Sequence, residues 1–414
     1  MENQIHIPLD LPDVRILDVT QLSPQGWLIR VESTLKGSIC AKCGRAIEAF
    51  HGYDAPLRLR HLPLFEVPVW IEIRPKRYRC PHCEGGPTST QSPTWYQRRS
   101  PNTKSYEQWL LRLLVNTTVR DVSRKLNLSE ASVNGVLDRW IETSVNWAEI
   151  HQISVLGIDE IALKRGHRDY VVIVTHQTSM GVAILAVLPD RKRATVEQFL
   201  ACIPVRLQAT IERVCSDMYS GYINAVRTQL PQTKVIVDRF HVAQNYRDCA
   251  DTVRKQELKR LKQELPQADY VLLKGTMWAF RKPYQTLQWE EKVKLNRLFV
   301  YSPAIEQAYT LREQLTQIFE ANHTKETATQ AILAWAKRVR QRQVKAFDSF
   351  LTTLDHWLDE ITNYFIDRQT SGFVEGFNNR IKVLKRRCFG IFDVNRLFQR
   401  LTLDLNGYTR FPAT

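Results

Sequence analysis

Four cysteines constrain this chain more than any other feature. Cys40-Ala41-Lys42-Cys43 and Cys80-Pro81-His82-Cys83 are two pairs of identical spacing. Each pair presents two thiolates on a tight turn, and two such knuckles brought together make a closed tetrahedral sulfur site, the structural form for Zn²⁺. Eight cysteines in 414 residues are too sparse for a disulfide scaffold, so the pairs read as metal ligands in a reducing compartment. One structural Zn²⁺ on Cys40, Cys43, Cys80 and Cys83 is the expectation. The span between the pairs exceeds the usual ~15–20 residues, but it contains strand-like sequence able to fold back. Nearby His51, His61 and His82 are surplus, because four sulfurs complete the site.

The sequence around the pairs is β-rich: Val67, Val69, Ile71 and Ile73 alternate with Pro68, Trp70 and Glu72. Residues 89–103, rich in Ser, Thr, Pro and Gln, read as a linker. A short amphipathic helix over 119–126, a turn at Asn127-Leu128-Ser129 and a second helix over 130–142 follow, with Ser129 as N-cap and Glu130 in the first turn. This is helix-turn-helix layout, whose second helix enters a DNA major groove. Ser132, Asn134 and Arg139 are the groove-facing candidates. The chain has 58 Lys plus Arg against 43 Asp plus Glu, a net charge of +15. Such an excess suits a polyanionic partner, through counterion release. The ribbon arginines and lysines Arg58, Arg60, Arg74, Lys76, Arg77 and Arg79 are expected near phosphates. No apolar run reaches the ~18–20 residues of a membrane span. Residues 1–10 lack the apolar core of a secretory signal, so a cytoplasmic location is expected.

Three acidic residues suggest chemistry. Asp159 follows the apolar run Val155-Leu156-Gly157-Ile158; two more strands, 170–175 and 182–188, complete a meander, and a helix over 195–203 comes next. Asp217 ends a fourth strand, and Asp238 a fifth at Val235-Ile236-Val237. A carboxylate beside a core strand is costly to desolvate unless a cation compensates. Two carboxylates on neighbouring strands and one from a helix can hold two Mg²⁺ (or Mn²⁺) ions ~4 Å apart, the arrangement that activates the attacking oxygen and stabilises the leaving one at phosphorus. Glu375 supplies the third from a helix whose Phe373, Phe377, Ile381, Leu384 and Cys388 form an apolar face; Glu375, Asn379, Lys382 and Arg386 share another.

The strings Gly157-Ile158-Asp159-Glu160, Ser216-Asp217-Met218-Tyr219-Ser220-Gly221-Tyr222, Asp238-Arg239-Phe240-His241-Val242 and Gly372-Phe373-Val374-Glu375-Gly376-Phe377-Asn378-Asn379 resemble the DDE transposases of bacterial insertion sequences in the ISL-three group, over nearly the whole chain. The resemblance implies an α+β multidomain protein: a zinc ribbon over 1–95, a helix-turn-helix domain over 96–150, and an RNase H-like α/β catalytic core over 151–249 and 356–414. The 158 residues from Asp217 to Glu375 imply an all-helical insertion over 250–355, where Trp278, Trp335 and Trp357 are expected to be packing residues. The implied activity is cleavage at the ends of a mobile element and transfer of the 3′ ends to target DNA. The implied catalytic and metal-binding triad is Asp159 bridging both Mg²⁺ ions, Asp217 on one and Glu375 on the other. Asp238 is the rival to Asp217 as second metal ligand; with Asp217 preferred because it follows the fourth strand and precedes a helix, Asp238 and His241 are expected as a pair orienting a ligand, and Asn379, Lys382, Lys385, Arg386 and Arg387 as DNA contacts. The partners implied are double-stranded DNA, as terminal inverted repeats and target, and a second copy of the chain, since two ends must be held together. A catalytically inactive, sequence-specific DNA-binding regulator of the same descent is the alternative reading, and a nuclease of the same fold that cleaves without joining is a third.

Overall fold

The alternation at 67–73 builds one strand of an N-terminal sheet, with Val69, Ile71 and Ile73 buried on one face. The computed structural model describes residues 9–22, 26–162, 170–179, 181–366, 368, 372–388, 391 and 393–412, with the side chains of 372–378 and 385 outside the description. The chain forms two units, residues 1–142 with 402–414, and residues 143–401.

In the first unit β1 (Val14–Leu22), β2 (Gly26–Ser33), β3 (Ser38–Ile39), β4 (Ala46–Ile47), β5 (Ala49–Tyr53), β6 (Leu57–Leu64), β7 (Val67–Ile73), β8 (Lys76–Arg79) and β9 (Thr88–Thr90) are followed by helices α1 (Lys104–Leu114), α2 (Val119–Leu126) and α3 (Glu130–Trp140). The strands form sheets of order β1-β2-β7-β6, β3-β4 and β5-β8-β9. Ile29, Val31, Leu59, Ile71 and Trp95 make the core of the largest. Asn127 takes the left-handed φ of 50° that ends α2, and Ser129 Oγ accepts from the Ser132 amide to start α3. Tyr106, Leu110, Val122, Val133, Val136 and Leu137 close the helical core.

The stretch 89–103 is not a loose linker. Trp95, Ser100, Asn102 and Thr103 are buried, and Arg60 N donates to Pro101 O while Thr103 N donates to Arg60 O, both at 2.9 Å. The cause is Glu107, fully buried on α1. Its carboxylate accepts from Ser100 Oγ at 2.7 Å, Asn102 Nδ2 at 3.1 Å, Trp140 Nε1 at 2.7 Å and the Arg139 guanidinium. A buried charge persists when it is paired and hydrogen-bonded, and four donors meet that condition.

In the second unit β10 (Val155–Ala162), β11 (Tyr170–Thr178) and β12 (Gly181–Leu188) form the antiparallel meander. Helices α4 (Arg193–Cys202) and α5 (Val205–Gln208), strand β13 (Arg213–Ser216), helix α6 (Ser220–Gln229) and strand β14 (Lys234–Val237) follow. The sheet order is β12-β11-β10-β13-β14, with β13 parallel to both β10 and β14, the order of an RNase H-like sheet. All-helical sequence follows: α7 (Arg239–Glu264), α8 (Gln267–Leu272), α9 (Thr276–Arg281), α10 (Trp289–Tyr301), α11 (Pro303–Glu320), α12 (Lys325–Gln341) and α13 (Asp348–Thr362) precede α14 (Gly372–Arg387) and α15 (Val394–Arg410), whose residues from 402 on belong to the first unit. The boundaries read at 250 and 355 fall inside α7 and α13. The insertion leaves the sheet with no break, because α7 starts directly after β14. Trp335 is fully buried and donates from Nε1 to Leu311 O at 2.8 Å, and Trp357 is partly buried, whereas Trp278 is 62% exposed. Among the described residues no helix is long and apolar enough to cross a membrane.

The hub at Glu107 generates a test. Glu107→Ala strands Arg139, which keeps some access to water, so the loss is about 3 kcal/mol, the low end for breaking a buried pair. Native-state hydrogen exchange of the α3 amides should show that fall in opening free energy; unchanged protection would remove Glu107 from this role.

Candidate active site and metal centres

Parallel pairing of β10 with β13 sets the site. Ile158 lies opposite Ser216, so Asp159, still within β10 and paired with Ile173 of β11, comes beside Asp217, the first residue past the end of β13. Val237 on β14 lies opposite Ser216 on the far side, and the chain then turns into α7, whose third residue is His241. Ligand atoms of Asp159, Asp217 and His241 all lie within 4.8 Å of one another. His241 Nε2 sits 2.7 Å from Asp217 Oδ1. The hydrogen bond to Asp217 raises the His241 pKa, against the opposing effect of burial. Asp159 is buried and its Oδ1 accepts from the Glu160 amide at 2.6 Å. Two converging carboxylates, one of them desolvated, and an imidazole form a donor set that fits a hard divalent cation.

Asp238 behaves differently from Asp217. Its Oδ1 caps α7 by accepting from Phe240 N at 2.8 Å, and its Oδ2 is 4.0 Å from His241 Nε2. The expected Asp238–His241 pair is therefore rearranged: His241 binds Asp217 and joins the cluster, while Asp238 is occupied as a helix cap. The Asp-x-x-His spacing across a strand end was the available signal, since it puts a histidine in the first helical turn above the sheet. Glu375 lies on α14, which runs against the edge strand β12; its side chain, like that of Lys385, is outside the described residues. On the same helix Ile381 and Leu384 are buried, Asn379, Lys382 and Arg386 are exposed, and Arg387 is half-buried.

The four cysteine sulfurs also lie within 4.8 Å of one another. Cys43 and Cys80 Sγ are 3.8 Å apart, and Cys40 and Cys83 Sγ 4.0 Å. A tetrahedron of sulfurs about 2.3 Å from a central Zn²⁺ has edges of about 3.8 Å, so the geometry fits that ion. The Cys43 and Lys42 amides, directed at Cys40, lower its thiol pKa to about 6. Cys83, against Cys43 and the other sulfurs, is pushed up to about 12. Four thiols at this spacing cannot all ionise without a cation among them. The long span between the knuckles is accounted for, because β6 and β7 are an excursion into the four-stranded sheet.

In the helix-turn-helix, Ser132 is exposed at the N-terminal end of α3 and Asn134 is half-buried. Arg139 does not face outward as the sequence suggested: its guanidinium is held by Glu107. Ribbon cations are partly engaged as well. Arg58 pairs with Glu72, Lys76 with Glu32, and Arg60 lies over the Tyr106 ring at 5.3 Å.

A cysteine ribbon, a helix-turn-helix and an RNase H-like sheet with two carboxylates meeting on its central strands are the parts of a DNA transposase. Residues 156–401 match the family model DDE_Tnp_ISL3, described as a transposase; residues 91–141 match the helix-turn-helix domain of transposase family ISL3, and residues 36–83 the zinc-finger of transposase IS204/IS1001/IS1096/IS1165. The chain belongs to the ISL3 family of transposases, DNA-cleaving and DNA-transferring enzymes. It is 28% identical to the transposase for insertion sequence element IS1001 of Bordetella parapertussis, over 92% of each chain. It is 24% identical to the transposase for IS1557 of Mycobacterium tuberculosis, over 89% of this chain and 86% of that one. The Drosophila P element transposase strand transfer complex overlaps 75% of this chain and 93% of its own, at 14% identity and a TM-score of 0.37, too low a likeness to define a shared fold.

The two aspartates separate experimentally. Asp238→Ala should destabilise the protein by about 1 kcal/mol through loss of the α7 cap, while Asp238→Asn, an equally good cap, should stay near wild type. Thermal unfolding followed by circular dichroism checks this; equal losses in both variants would contradict a capping role.

Proposed function

We propose that Asp159, Asp217 and Glu375 form the metal-binding triad with which this transposase cuts element ends and joins them to target DNA. The observation that carries the reading is the meeting of the Asp159 and Asp217 carboxylates with His241 inside 4.8 Å, one from within β10 and one just past the end of the parallel strand β13. When bound, two Mg²⁺ or Mn²⁺ ions supply the charge neutralisation and Lewis acidity that phosphodiester attack requires. The protein's own groups set the geometry. Asp159, buried on β10, excludes water from one side; the Glu160 amide fixes its Oδ1, and His241 Nε2 fixes Asp217. Exposed Asn379, Lys382 and Arg386 on α14, with Lys385 and Arg387, hold the DNA backbone beside Glu375. Ser132 and Asn134 on α3 contact the terminal inverted repeats. The four cysteines hold one structural Zn²⁺. The enzyme works as a homodimer, one copy per element end, on DNA in the bacterial cytoplasm.

Two outcomes follow. Asp159→Asn should lower strand cleavage roughly 10³-fold, equivalent to the several kcal/mol of charge stabilisation that a metal centre provides, while mobility-shift binding of end DNA stays intact; cleavage by this variant at the wild-type rate in Mg²⁺ contradicts the triad. Elemental analysis of the purified protein should find one zinc per chain, lost in Cys80→Ser together with protection of β8 and β9 from proteolysis. A zinc-free wild-type sample with the ribbon intact would sink the zinc assignment.

A further inference from the structure

Alternation along β10 sends Asp159 to one face and its neighbour Glu160 to the other. On that second face Glu160 is not solvated freely. Arg191 Nη1, from the segment between β12 and α4, shares itself between the two Glu160 carboxylate oxygens at 3.2 and 3.3 Å. The hydroxyl of Tyr222, a fully buried residue of α6, donates to Glu160 Oε2 at 3.3 Å. The Arg191 guanidinium also lies against two rings, Tyr170 at 4.7 Å and Tyr219 at 5.3 Å. Tyr219 is two residues past Asp217, whose carbonyl accepts from the Tyr219 amide at 2.7 Å, and its ring meets Tyr222 edge-on at 4.9 Å.

We infer that Arg191 is a positioning residue that locks Asp159 and Asp217 into register for metal binding, by gripping Glu160 on one side and Tyr219 on the other. The reading rests on the assignment of those two aspartates as metal ligands. The connection to Asp159 is direct: the Glu160 amide that donates to Asp159 Oδ1 belongs to the residue Arg191 holds. The connection to Asp217 runs through the Tyr219 turn. Planarity matters, since one guanidinium must lie against aromatic faces and still donate to a carboxylate, which an ammonium cannot reproduce. Such outer partners fix ligand orientation, and losing one costs metal affinity before it costs the fold.

The test is Mn²⁺ binding to the full-length protein without DNA, read from the free-ion electron paramagnetic resonance signal. Arg191→Ala should weaken Mn²⁺ binding about tenfold, the lower end for loss of a ligand-orienting partner, and Arg191→Lys should recover only part of it. Glu160→Gln, close in shape and retaining an acceptor for Tyr222, should shift binding in the same direction with little change in thermal unfolding; it decides the matter if Arg191→Ala does not fold. Mn²⁺ affinity within about twofold of wild type in the folded variants, whatever their stability, overturns the inference, because a partner of this kind contributes tenfold or more. Asp159→Asn is the control. If it loses Mn²⁺ while the Arg191 and Glu160 variants do not, the assignment of Asp159 stands and the clamp falls. If Asp159→Asn itself binds Mn²⁺ like wild type, the aspartate assignment falls and takes the clamp with it.

Discussion

The catalytic unit is organised by the pairing of two strands that run the same way. Because β10 and β13 are parallel and Ile158 faces Ser216, the first residues beyond that rung are neighbours whatever else the chain does. Both are aspartates. Bringing two carboxylates together on the central strands of an apolar sheet is unfavourable by repulsion and by desolvation, so the pairing makes sense only with cationic or hydrogen-bonding groups aimed at them. The structure supplies an imidazole from α7 and an amide from Glu160. Transposase chemistry adds divalent metal.

The two clusters whose donor atoms could hold a metal ion illustrate opposite solutions to one problem. The sulfur cluster is closed: four soft donors at tetrahedral spacing leave no coordination position, which suits a structural role. The carboxylate cluster is open and hard, with Asp217 and His241 only partly buried, and an open site is what a reacting phosphate needs.

Much of this was legible in the sequence, for reasons that are local. The knuckles, the Ser129 cap, the alternation at 67–73 and the strand–helix order beyond Val155 depend on short spacings, and the strands and helices formed where those spacings put them. What escaped notice depends on partners distant in the chain. Arg139 reads as a free cation on a recognition helix until Glu107, thirty-two residues earlier, is seen to hold it. Residues 89–103 have linker composition, yet Ser100 and Asn102 are pinned by that same carboxylate. His241 was paired with Asp238 on proximity in sequence, but the α7 cap occupies Asp238 and leaves the ring to Asp217. Composition cannot report which of two nearby acids a helix terminus will claim.

The grip of Glu107 on Arg139 and Trp140 divides α3 into two zones. Its C-terminal turn is welded to α1 and to the segment before it, so changes there disturb folding. Its first turns are tied to the core only through Val133 and leave Ala131 and Ser132 exposed and Gly135 half-open. In α3 the positions where substitution costs the fold least are exposed ones such as Ala131 and Ser132.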